Sequence, residues 1–119
     1  MILSCQKHGQ TIAVPKYSKT GMIFVELKTP LPDLPLDNYG IRTETSNSEI
    51  SNFDLIIVPG RAFTINGDRC GRGGGFYDKF LSQQACPKIA LAFQEQIFEE
   101  IPMSEFDQTV DLVITPTYY

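Results

Sequence analysis

The sequence predicts an α/β fold built on a mainly parallel sheet. Three observations carry that expectation. Short apolar runs are closed by turn residues, a helical segment lies between the first two of them, and glycines gather where strand should give way to helix. The runs are Leu55-Ile56-Ile57-Val58 ending at Pro59-Gly60, Ile89-Ala90-Leu91-Ala92-Phe93 after Pro87, and Val110 with Leu112-Val113-Ile114 before Thr115-Pro116. Continuous apolar runs of this length, bounded by proline and glycine, predict strands buried on both faces of a parallel sheet.

In chain order, Thr11 to Val14 reads as a strand that stops at Pro15, and Met22 to Leu27 as a partly alternating strand. Residues 28–53 hold three prolines and a polar patch from Thr43 to Asn52, and predict a long loop, functional or flexible. After the 55–58 strand come the glycine-rich residues, and then a helix over about residues 75–84. Tyr77, Phe80 and Leu81 fall at i, i+3 and i+4 on one face of that helix. Strand, helix, strand makes a βαβ unit with an expected right-handed crossover. Glu95 to Glu100 reads as a second short helix with Ile97 and Phe98 inward, before the last strand.

The chain has 119 residues, 42 % of them apolar, which suits one small domain over 1–119 with a real core. Its formal net charge of −4 and the lack of a basic stripe argue against nucleic acid as a partner. No apolar run is long enough to span a bilayer, and the first residues are too short for a signal peptide. Cys5, Cys70 and Cys86 are an odd, widely spaced set without metal-ligand spacing. They predict reduced thiols and a cytoplasmic setting.

The chemistry concentrates in Gly71-Arg72-Gly73-Gly74-Gly75-Phe76-Tyr77-Asp78. Between residues 60 and 75 lie six of the nine glycines and three of the four arginines. Glycine lets main chain approach a ligand closely, and a helix start presents unpaired N–H groups to an anion. Arg72 adds a planar cation suited to phosphate oxygens. The pattern lacks the spacing and Lys-Ser/Thr ending of a Walker loop. Two readings stand for the glycines, a tight corner or a phosphate loop, and the neighbouring Arg72 and Asp78 favour the second.

Asp78 also has two readings, a first-turn acid that suits the helix dipole or a magnesium ligand. The second needs another carboxylate, which Asp107 or Asp111 could supply. Cys70 is either a reactive thiol or a small packing residue. Lys16 and Lys19 are either phosphate contacts or solvated. Phe63, Phe76 and Tyr77 could stack on a flat heterocycle, although Tyr77 also fits the helix core face. His8 is expected to be solvated. No serine or cysteine has the setting of a nucleophile elbow.

With these residues in view, the chain resembles the 5-formyltetrahydrofolate cyclo-ligase, or methenyltetrahydrofolate synthetase, family. The resemblance runs through Asp54 to Gly60, Ala62-Phe63, Gly67, Arg69, Gly71 to Asp78 and Leu81. It continues through Leu91 to Gln96, Ile101-Pro102, Asp107 and Val110-Asp111, with weaker matches at Gly9 to Pro15 and Gly40-Ile41. It implies a three-layer α/β/α sandwich, Rossmann-like, and an ATP- and Mg2+-dependent ligase of folate metabolism. Such an enzyme converts 5-formyltetrahydrofolate to 5,10-methenyltetrahydrofolate, releasing ADP and phosphate.

By the same resemblance, Arg69, Cys70, Gly71, Arg72, Gly73, Gly74, Gly75, Phe76 and Tyr77 form the ATP-binding loop. Arg72 through Phe76 also border the folate, Arg72 acts in catalysis, and Asp78 and Asp107 hold magnesium. Phe76 stands where the family often has tyrosine. Family members usually begin with basic helices that serve ATP binding, and this chain starts just ahead of the Gly9 to Pro15 stretch. It is therefore expected to correspond to the C-terminal part of a cyclo-ligase. It would be monomeric, or self-associated through an uncovered sheet face. The alternative expectation is a non-catalytic nucleotide- or folate-binding remnant of the family.

Overall fold

The computed structural model describes residues 2–18, 21–37, 40–71 and 75–116. By internal contacts the chain divides into two compact units, residues 1–52 and 53–119. Among the described residues, no helix is long and apolar enough to cross a membrane.

The first unit opens with a helix that the sequence reading did not place, α1 (Ile2–Lys7). Lys7 lies in its last turn, and Gly9 follows at φ 79°. His8 is exposed, as expected, with its Nδ1 2.8 Å from the Ser4 carbonyl oxygen. Strands β1 (Ala13–Ser18) and β2 (Gly21–Glu26) form an antiparallel hairpin in which Pro15 stands opposite Phe24. The strand therefore does not stop at Pro15. With only β2 as a neighbour, β1 can turn a residue without an N–H away from the ladder. Phe24, Val25, Leu27 and Leu34 are buried in this unit.

The described part of residues 28–53 is largely loop, as expected, and it is ordered by local contacts. A single 3-10 turn spans Leu31–Asp33, Leu36 bridges Arg42, and Glu49 bridges Val25 beside the hairpin. The organiser is Glu44, whose side chain is buried. Its Oε2 accepts the backbone N–H groups of Lys28 and Thr29, each at 2.8 Å. Its Oε1 accepts the Thr29 hydroxyl at 2.7 Å and the N–H groups of Thr45 and Ser46 at 2.9 and 3.2 Å. These donors favour the charged form. Led by the Thr29 backbone bond, they outweigh desolvation and lower the pKa from 4.5 to about 2.

The second unit holds the expected parallel sheet. Strands β3 (Ile56–Ile57), β6 (Lys88–Leu91) and β7 (Leu112–Ile114) run parallel in the order β3-β6-β7. Ile56 stands beside Lys88 and Ile89 beside Leu112. Asp111 ties the last two strands, since its carboxylate accepts the Lys88 N–H at 2.8 Å while its own N–H donates to the Lys88 carbonyl at 2.8 Å. Helix α2 (Phe76–Leu81) supplies the βαβ unit and is shorter than the expected 75–84. Gly75 is its cap, and residues 82–84 close it as turns.

The core of this unit joins Ile56, Val58, Ala90, Ala92 and Val113 of the sheet to Leu81, Phe63 and Val110, with Tyr77 and Phe80 packed alongside. Burial is one-sided, which corrects the expectation of strands buried on both faces. Val58 and Val113 are each 1 % exposed, whereas their neighbours Ile57 and Leu112 are 40 % and 41 % exposed. Apolar alternation was hidden in the sequence because both faces carry aliphatic residues.

Between β3 and α2 lies a second hairpin, β4 (Ala62–Phe63) with β5 (Arg69–Cys70), antiparallel and unforeseen. Its tip is a Thr64–Asp68 turn. There Gly67 has φ 97°, and its carbonyl oxygen accepts the Val110 N–H at 2.8 Å. A Cβ at Gly67 would collide with the Val110 carbonyl oxygen. Phe63 is fully buried and bridges Ile97, so it is not available to stack on a ligand. The second expected helix is a single 3-10 turn, Gln94–Gln96. Ile97 packs on the core as expected, but Phe98 is 53 % exposed.

Two substitutions test this architecture. Gly67→Ala meets both a left-handed backbone and a fixed carbonyl, and should cost about 2 kcal/mol. That lowers the melting temperature by about 10 °C, measurable by circular dichroism. Glu44→Gln turns one acceptor into a donor facing N–H groups and should cost about 2 kcal/mol at pH 7. Because the folded-state pKa is depressed, the carboxylate's contribution is complete above pH 4.5 and is lost as pH falls from there toward 2. The difference between wild type and Glu44→Gln in urea denaturation should therefore shrink over that range.

Candidate functional site

The site grows from the carboxyl end of β3, where open α/β sheets bind ligands. The chain leaves β3 through Pro59-Gly60, makes the β4–β5 hairpin, and returns with Arg69 beside Pro59. Arg69 is 6 % exposed, and its Nε donates to the Pro59 carbonyl oxygen at 2.6 Å. Its Nη1 donates to Asp78 Oδ1 at 3.3 Å. Its guanidinium carbon lies 5.4 Å from the centroid of the Tyr77 ring. One side chain therefore ties the end of a strand to the first turn of the following helix, across the base of the glycine loop.

Arg72, Gly73 and Gly74 lie outside the described residues. The flanks of the loop are placed. Cys70 is exposed and is a free thiol, with Sγ 3.6 Å from the Gly71 carbonyl oxygen. Gly71 is half-buried, and a Cβ there would approach Arg69 Nη2 to 3.1 Å. Gly75 caps α2 in the left-handed region, at φ 71° and ψ 4°, the conformation that favours glycine. Phe76 is 43 % exposed, whereas Tyr77 packs on the core. Of the aromatic residues near the loop, Phe76 is thus the one turned outward.

Asp78 is held from two directions. Besides Arg69, the backbone N–H of Gln108 donates to its Oδ1 at 3.0 Å. That bond brings the segment before β7 against the first turn of α2, and it places Asp107 next in sequence to a direct contact of Asp78. Asp107 is half-buried, and its Oδ2 accepts the Ser104 N–H at 2.8 Å. Asp111 is engaged with Lys88, as an ordinary structural aspartate. Among the described residues, no three His, Cys, Asp or Glu side chains gather as a metal-binding cluster.

A magnesium ion needs only one or two protein carboxylates when phosphate oxygens and water complete its shell. Asp78 and Asp107 are hard oxygen donors of the kind such an ion takes, on segments joined by the Gln108–Asp78 bond. Lys16 is half-buried in the first unit, and Lys19 lies outside the described residues. Sequence reasoning missed Gln108, because its contribution is a main-chain N–H, and Gln96, whose Nε2 donates to the Gly60 carbonyl at 3.1 Å and braces the β3 exit turn. The sequence offered Gln96 only as the last residue of the Leu91 to Gln96 match, with no role attached to its amide.

Residues 1–116 match the 5-formyltetrahydrofolate cyclo-ligase family. A probable 5-formyltetrahydrofolate cyclo-ligase of Caenorhabditis elegans is 37 % identical, over 89 % of this chain and 60 % of its own length. The 5-formyltetrahydrofolate cyclo-ligase of Mus musculus is 32 % identical, over 91 % of this chain and 61 % of its own. Among solved structures, the 5,10-methenyltetrahydrofolate synthetase of Aquifex aeolicus superposes with a TM-score of 0.81 at 27 % identity, covering 98 % of this chain and 60 % of that one. The chain spans about three fifths of the length of these relatives. A match over nearly every residue, a shared fold, and a glycine loop closed by arginine and aspartate lead to one conclusion: this chain belongs to the 5-formyltetrahydrofolate cyclo-ligase family.

Proposed function

We propose that this chain takes part in the ATP- and magnesium-dependent conversion of 5-formyltetrahydrofolate to 5,10-methenyltetrahydrofolate, with ADP and phosphate as the other products. The observation that carries the reading is the glycine loop, which leads into a helix beside the carboxyl end of a parallel strand, next to two carboxylates, in a chain of this family. The three-layer arrangement of the whole family fold belongs to the same proposal.

In this reading the N5-formyl oxygen attacks the γ-phosphorus of ATP, and ADP leaves with the electrons of the broken P–O bond. The formyl carbon, now bonded to N5 as an iminium and to the phosphate oxygen, is electrophilic. The N10 lone pair adds to it, N10 gives up its proton to water or to the phosphate, the C–O bond breaks with its electrons going to oxygen, and inorganic phosphate departs. Such a sequence needs positioning and charge neutralisation rather than a protein nucleophile.

Each part of the loop has a role that fits its chemistry. Main-chain N–H groups from Gly71 to Gly75 hold the phosphates, and Arg72 meets the charge that develops on the transferred phosphoryl group. Phe76 offers its exposed ring to a flat heterocycle. Asp78 and Asp107 would hold magnesium, which neutralises phosphate charge when bound. Arg69, Cys70 and Tyr77 complete the ATP loop from its base.

The test mixes the chain with 5-formyltetrahydrofolate, ATP and magnesium and follows the near-ultraviolet absorbance of methenyltetrahydrofolate. Wild type should raise that absorbance, and Arg72→Ala should lower the rate by about 10²-fold with an unchanged melting temperature. ATP binding by calorimetry without any absorbance change would mark a non-catalytic binding remnant instead.

A further inference from the structure

We propose that Arg69 is a positioning residue that restricts Asp78 to one-oxygen ligation of a divalent cation, and so selects a small octahedral ion over calcium. The inference rests on the reading of Asp78 as a metal ligand and deepens it.

Asp78 Oδ1 accepts two hydrogen bonds, from Arg69 Nη1 at 3.3 Å and from the Gln108 N–H at 3.0 Å. A carboxylate chelates a cation through both oxygens only when both turn lone pairs toward it, and the donors to Oδ1 compete for those lone pairs. Oδ2 is then the oxygen offered to a metal.

Neither donor is free to swing away. The Gln108 donor is main chain. The Arg69 side chain is 5 % exposed, its Nε is fixed 2.6 Å from the Pro59 carbonyl oxygen, and the Tyr77 ring and Gly71 flank its guanidinium. A lysine would carry the charge but not the fork that reaches Pro59 and Asp78 together.

Calcium takes six to eight oxygens and often uses a carboxylate bidentately, whereas magnesium demands near-octahedral, shorter coordination. One-oxygen ligation suits the second ion. The pairing also sets when the ion binds. Arg69 offsets the charge of Asp78, so the carboxylate holds a cation weakly until phosphate oxygens contribute. Metal and nucleotide should therefore enter this site together.

The experiment measures Mg2+ and Ca2+ affinities of the full chain by calorimetry in saturating ADP, beside ADP alone, with melting temperatures for every variant. Wild type should favour Mg2+ over Ca2+ more than ADP alone does. Arg69→Met should shrink that preference by about tenfold, mainly by tightening Ca2+, with Arg69→Lys intermediate. A lower melting temperature with an unchanged ratio of the two affinities would show Arg69 to be purely structural and overturn the proposal. Where Arg69→Met does not fold, wild type decides: a Ca2+ preference equal to or above that of ADP alone overturns it. Asp78→Asn separates the two levels, because unchanged affinities for both ions there would remove Asp78 as a ligand and the underlying reading with it.

Discussion

The arrangement around the glycine loop depends on a single buried guanidinium. Arg69 reaches a strand-end carbonyl, a helix-start carboxylate and an aromatic face at once. Burying an unpaired arginine is costly, and so is burying an unpaired aspartate. Here each offsets the other, and main chain adds the Pro59 carbonyl to Arg69 and the Gln108 N–H to Asp78. Arg69 is the buried member and Asp78 keeps 20 % of its side chain exposed, so removing Asp78 strands a buried charge, whereas removing Arg69 leaves a partly solvated one. The two flanks of the glycine loop are therefore joined by this one ion pair.

Stability and ligand geometry share atoms here. The described residues on either side of the glycine loop are held by partners outside it. Arg69 lies before it and Asp78 after it, and Gln108 joins them from the segment leading to β7. Glu44 plays a parallel part in the first unit, where one buried carboxylate gathers five donors and gives shape to a proline-rich stretch.

The strand–loop–helix–strand order was legible because its signals are local. Aliphatic runs close at proline or glycine, and Tyr77, Phe80 and Leu81 mark one helical face. The asymmetry of the sheet was not legible, since Ile57, Leu91 and Leu112 are as apolar as the residues they alternate with. The β4–β5 hairpin was hidden by its brevity and its glycine turn. Pro15 read as a strand stop because the sequence does not reveal which side of a strand lacks a partner. At the site, the phosphate reading rests on the local pattern of glycine, arginine and aspartate, and the structure adds the placement of the flanks. That Arg69 turns inward while Phe76 turns outward is set by tertiary packing. Glu44 looked like one more polar loop residue, because its donors lie up to sixteen positions away.

The Arg69 staple has a further consequence, for the order in which the chain assembles. Pro59 and Asp78 lie ten and nine positions from Arg69, whereas Gln108 lies thirty from Asp78. Closing the shorter spans sacrifices less chain entropy than closing the longer one. The first two contacts can therefore form while the polypeptide beyond residue 81 is still unstructured, leaving the Gln108 bond to lock when β7 docks. In such a sequence the half-built frame around Arg69 would act as a nucleus for the sheet that later supports it.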